Sequence, residues 1–166
     1  MKRVAVLLLL LGCDAIPGIG PDAGQVRATV TRPPADTLMF AIPATARRCA
    51  GGRGEILLEA ANGRGFGLMA VLRGLEGGGA DSLPLLAPRD TVTPRGAQAA
   101  ARFVVGDAVH GLALDSGTVF VTGGLPQRLE GRIRGKGYEA SVRVTLAAEF
   151  WDVPLAAGDT GSCNPQ

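Results

Sequence analysis

The chain has 166 residues, of which 46% are hydrophobic and 19% charged, with 25 Gly, 11 Pro and a formal net charge of +2. That length suits one domain with a sizeable core, and the apolar fraction excludes wholesale disorder. No apolar run approaches the roughly 18 residues that span a bilayer as a helix, and a single histidine, His110, excludes a multi-histidine metal cluster.

Lys2 and Arg3 precede eight apolar residues at 4–11, followed by Gly12 and Cys13. A positive start, a short apolar run and a small residue at the cut read as a secretory signal over residues 1–12. The stretch Leu10-Leu11-Gly12-Cys13 resembles the lipobox of bacterial lipoproteins. The resemblance implies a diacylglyceryl group on the Cys13 thiol, cleavage after Gly12, and acylation of the new amine. It places the protein in the bacterial cell envelope, on the inner or outer membrane, facing the periplasm or the cell surface. Asp14 resembles the inner-membrane retention signal of enteric bacteria, a rule other lineages do not follow. Residues 13–25, rich in Gly and Pro, read as a flexible tether, and 26–166 as a single β-rich domain.

Cleavage leaves 154 residues with 15 basic and 15 acidic side chains, because Lys2 and Arg3 are lost. A nucleic-acid partner requires a cationic excess, so that class drops out. The remaining cysteines, Cys49 and Cys163, lie near the two ends of the domain. In an oxidising compartment they read as one structural disulfide; a redox-active pair would favour Cys-x-x-Cys, which is absent.

In chain order, residues 26–31 alternate apolar and polar as in a half-buried strand. Short apolar runs follow at 38–42, 55–60 and 66–72, the last preceded by the turn-prone Asn62-Gly63-Arg64-Gly65. Residues 74–82 carry four Gly and read as an exposed loop. Thr93-Pro94-Arg95 opens like a helix and four Ala follow, but Gly96 and Phe103-Val104-Val105 favour a strand over 97–105. Residues 112–114 and 118–121 flank Asp115-Ser116-Gly117, read as a hairpin turn. Residues 128–134 alternate strictly, and 138–146 alternate again, with Val142, Val144 and Leu146 on one side. Many short strands with Gly/Pro turns predict an all-β fold, an antiparallel β-sandwich or small barrel. The alternative is an α+β version with one short helix near 94–104.

The pattern Leu114-Asp115-Ser116-Gly117-Thr118-Val119, then Leu129-Glu130-Gly131-Arg132-Ile133 and a last strand over 145–150, is similar to that of small β-rich envelope lipoproteins of unknown function. The likeness covers about the last third of the chain. It implies a β-sandwich-like module and no particular activity.

Candidate chemistry is sparse. His110 with Asp107 or Asp115 would form an acid–base pair for a small envelope hydrolase, but no nucleophile motif accompanies it. The carboxylates lack the spacing of a calcium loop, and no cofactor fingerprint is present. The one local charge excess is Arg128, Arg132, Arg134 and Lys136, with Arg143 on the next strand. Alternate residues share a strand face, so this row is a candidate patch for an anionic glycan or lipid headgroup. Of Phe150 and Trp151, adjacent on one strand, one faces the core and the other outward. The sequence therefore points to a lipid-anchored envelope protein with a non-catalytic binding or scaffolding domain, its partner an envelope protein, glycan or lipid. The other readings are the hydrolase and a barrel carrying an apolar ligand lined by Phe66, Met69, Phe103 or Phe120.

Overall fold

A computed structural model describes residues 24–50, 54–75, 80–123, 125–156 and 163. The signal segment 1–12 and Cys13, with most of the tether, lie outside the described residues. Nine strands follow one another: β1 (Gly24–Arg32), β2 (Asp36–Arg48), β3 (Ile56–Ala61), β4 (Gly67–Arg73), β5 (Asp81–Pro84), β6 (Gly96–Val105), β7 (Ala108–Gly123), β8 (Arg128–Glu139) and β9 (Val142–Ala156). Eight of them close into an antiparallel barrel in the order β1-β2-β3-β4-β6-β7-β8-β9, with β9 pairing back to β1. The outcome is a barrel rather than a sandwich, because the pairing of β7 with β8 leaves neither strand of the ring as an edge.

Period-two alternation does the work. Val26, Ala28 and Val30 on β1, Leu112 and Leu114 on β7, and Val144, Leu146, Ala148 and Phe150 on β9 point inward and are buried. Phe103, Phe150, Ile56, Leu58 and Leu72 are among the largest side chains that fill the interior. An eight-stranded barrel is just wide enough for side chains to fill. On β8 the inward register reads Leu129, Gly131, Ile133, Gly135, Gly137, Glu139. A Cβ at Gly131 would lie 2.5 Å from the Phe150 ring, and one at Gly135 2.5 Å from Leu85. The missing side chains are the room that those neighbours occupy.

Several expectations change. No helix forms over 94–104: Ala97, Ala99, Ala101 and Phe103 alternate inward on β6, and ladders to β4 and β7 outweigh alanine's helical preference. Within the preceding loop the Thr93 hydroxyl donates to Asp90 (2.6 Å) instead of capping a helix. Residues 81 and 82, the end of the expected glycine loop, open β5, which pairs with the second half of β7. Asp115-Ser116-Gly117 is not a turn but a bulge inside the continuous β7, marked by a register shift between Leu114 and Ser116. The hairpin turn lies earlier, at Gly106-Asp107. The run 138–146 is split by a turn at Ala140-Ser141, which leaves Val142 exposed at the start of β9.

The disulfide joins Cys49 and Cys163 with their Cα atoms 5.3 Å apart, a normal bridging distance. Cys163 packs outside the barrel with Leu57 and Val71, so the bridge pins Cys163 over the outer face of β3 and β4. Loop closure across 114 residues adds about 4–5 kcal/mol in the chain-entropy model.

The close approach of β8 to β7 is testable. A Cβ at Gly137 would lie 2.0 Å from the Ala113 carbonyl oxygen, whereas one at Gly63 meets nothing within 4 Å. Gly137→Ala is expected to lower stability by about 1–3 kcal/mol in urea unfolding and Gly63→Ala to change it little. Equal midpoints for the two variants would contradict this packing.

Candidate functional site

The hairpin turns at 33–35, 62–66, 106–107 and 140–141 all lie at one end of the barrel, and the chain enters at Gly24 at the other. Following the inward registers of β1, β7 and β8 to the turn end brings Arg32, His110 and Glu139 together. Glu139 is the one buried charged residue among those described, 6% exposed. Arg32 donates to it twice, from Nε at 2.7 Å and from a terminal nitrogen at 3.1 Å, and donates also to Asp36 at 3.0 Å. His110 Nδ1 contacts Glu139 Oε1, the oxygen that the Arg32 terminal nitrogen also reaches, and its ring stacks on Phe103 with centroids 5.8 Å apart. Hydrogen bonding to Glu139, then to Asp36, holds the Arg32 guanidinium above its ordinary pKa.

This corrects the expected pairings of His110. Asp107 is exposed in the β6–β7 turn, and Asp115 accepts from Arg143 at 2.6 Å and from the Ser116 hydroxyl at 2.9 Å. The carboxylate against the imidazole is Glu139. Ser116 is engaged with Asp115 and Arg143, and Ser141, in the β8–β9 turn, makes no hydrogen bond to His110. The cluster is thus a polar lid that ties β1, β7 and β8 across the barrel end, without an attacking group beside the histidine among the described residues. Glu139 and Arg32 were missed at the sequence level, although stepping by two from Ile133 along β8 lands on Glu139.

The four side chains suggested for an apolar ligand diverge. Phe103 is buried inside and Phe66 packs on Phe40 near the turn end, with ring centroids 5.1 Å apart. Met69 joins the Leu57, Val71 and Cys163 cluster outside, and Phe120 faces outward beneath Arg132.

The cationic row is redrawn as well. Arg128 pairs with Asp152 (2.7 Å) and Arg143 with Asp115 (2.6 Å) over the Tyr138 ring, so both are committed to local contacts. Arg132, Arg134 and Lys136 are exposed on β8 and form no ion pair within 4 Å among the described residues. The register adds a residue the sequence did not suggest. Glu149 of β9 lies opposite both Arg132 of β8 and Arg27 of β1, bringing Arg27 into the strip. Arg132 lies 4.7 Å over the Phe120 ring and Arg27 5.5 Å over Trp151. Arg27, Arg132, Arg134 and Glu149 rim a hollow of about 180 Å³ that Thr29 and Ala147 also line. Such a hollow, with flat guanidinium donors around it, suits an oxyanion.

Two outcomes follow. Glu139→Ala leaves Arg32 and His110 facing one another at the lid, and is expected to lower the thermal midpoint by several degrees, more than Asp107→Ala; equal melts for the two would sink the lid. Asp115 is held below its ordinary pKa, mainly by the Arg143 hydrogen bond and further by Ser116. A depressed carboxyl stabilises above its unfolded pKa and loses that contribution as pH falls through the folded value. Stability of the wild type should therefore fall more steeply below about pH 4 than that of Asp115→Asn, as read by urea melts across pH. Comparison with family models, curated proteins and solved structures gives no match for this chain.

Proposed function

We propose that the protein is a lipid-anchored envelope lipoprotein, attached through Cys13, whose barrel is a non-catalytic binding domain for an anionic ligand. The address rests on the ordered run of Lys2, Arg3, eight apolar residues, Gly12 and Cys13. The bridging distance between Cys49 and Cys163 fits an oxidising compartment. The observation that carries the binding reading is the group of exposed cations Arg27, Arg132 and Arg134 around a hollow, with Lys136 next in the row on β8, none of them in an ion pair among the described residues. The interior is occupied by Phe103, Phe150 and aliphatic side chains, which favours the outer face over an enclosed apolar ligand. Among the described residues no nucleophile stands beside His110, and the binding reading is therefore preferred to hydrolysis.

The anchor is tested by radiolabelled palmitate in a bacterial host. The wild-type chain is expected to incorporate label and partition with membranes, and Cys13→Ala to do neither. Label in Cys13→Ala, or none in the wild type, overturns the anchor.

A further inference from the structure

We infer that the face carrying Arg27, Arg132 and Arg134 docks on the phosphate headgroups of the anionic bilayer that holds Cys13, so that the barrel lies against its membrane. The inference rests on the acyl anchor proposed above.

Three observations place the partner. The first is charge. The strip presents Arg27, Arg132, Arg134 and Lys136 against Glu130 and Glu149, and its cations form no ion pair among the described residues while Arg128 and Arg143 beside it are neutralised. Between them lie the short side chains Thr29, Ala147 and Thr145 and one carboxylate, Glu149, which leaves the strip with a cationic excess.

The second is the pairing of cation with ring. Arg27 over Trp151 and Arg132 over Phe120 put a half-buried aromatic beneath each charge. An aromatic body with a cationic cover suits the boundary where phosphates meet acyl chains.

The third is position. Trp151 lies opposite Gln25, one residue from where β1 begins, and Arg27 follows two residues later. Ten residues separate Cys13 from Gly24, so at roughly 3.5 Å per residue the barrel stays within about 40 Å of its anchor. A strip too weak to hold a free protein on a membrane then acts intramolecularly, at high effective concentration. Contacts to phosphate by exposed cations are screened by salt, which gives the docking a signature.

The chain carries one Trp, which sits at the edge of the strip and serves as the probe. Residues 13–166, with Cys49 and Cys163 bonded, are coupled through the Cys13 thiol to maleimide-bearing vesicles containing a headgroup nitroxide lipid. Vesicles are of phosphatidylcholine alone or with roughly one-third phosphatidylglycerol. Trp151 quenching is expected to be several-fold stronger on the anionic vesicles and to collapse in roughly 0.5 M salt. It should be lost in the triple variant Arg27→Gln, Arg132→Gln, Arg134→Gln and retained in Arg102→Gln, exposed on β6 outside the strip. Equal quenching on neutral and anionic vesicles overturns the inference, as does quenching indifferent to salt or to the triple variant. Binding of soluble dextran sulfate through the same arginines, with Trp151 unquenched on anionic vesicles, assigns the strip to a glycan and likewise overturns it. The salt comparison uses the wild type alone, so it decides even where the triple variant unfolds. Because coupling is chemical, failure here is separable from failure of palmitate labelling.

Discussion

The barrel depends on β8 coming closer to its neighbours than side chains would allow. Three of its six inward positions are glycine, and a Cβ at Gly131 or Gly137 would sit 2.1 or 2.0 Å from a β7 carbonyl oxygen. Gly117, on the facing stretch of β7, meets the same limit against the Arg134 carbonyl and adopts a φ of 129°, which L side chains rarely reach. Closure therefore happens where the sheet has been emptied, and Phe150, Leu112 and Leu114 from the strands around it, with Leu85 just past β5, fill the space. Were β8 to carry Val at those positions, the ring would have to widen and the core would lose its contacts.

That constraint also shapes the surface. Since β8 contributes little inward, its character is set by the outward residues, which alternate with the glycines as Arg132, Arg134 and Lys136. The same two-residue period that clears the interior aligns the cations in one row. Arg27 reaches that row only because β1 pairs with β9, and β9 with β8, across more than a hundred residues of chain.

How far the sequence was legible follows from whether an observation was local. Alternation on β1, β8 and β9 was visible, because it is written in consecutive residues, and so was the inward and outward division of Phe150 and Trp151. Cys49 and Cys163 could be paired by elimination. The bulge at Asp115-Ser116-Gly117 was not legible, because a turn and a bulge use the same residue types and only the partner strand tells them apart. The site suffered from the same blindness: Asp107 and Asp115 are near His110 in sequence, but its contact is Glu139, delivered by the ring. Closure itself has no local trace, which is why sandwich and barrel read alike.

The placement of β1 has a mechanical consequence. It runs between β2 and β9, paired along nearly its whole length, and the membrane attachment proposed above would pull on its first residue. Hydrogen bonds in an antiparallel ladder stand perpendicular to the strand, so a pull along the strand axis strains many of them together instead of opening them one by one. Beyond Gly24 the neighbours β2 and β9 meet directly, through Ala46 with Leu155 and Arg47 with Ala156, and close over the point of entry. A domain tethered this way resists force in shear, and tension on the anchor would be borne by the central seam of the barrel rather than by a peeling edge.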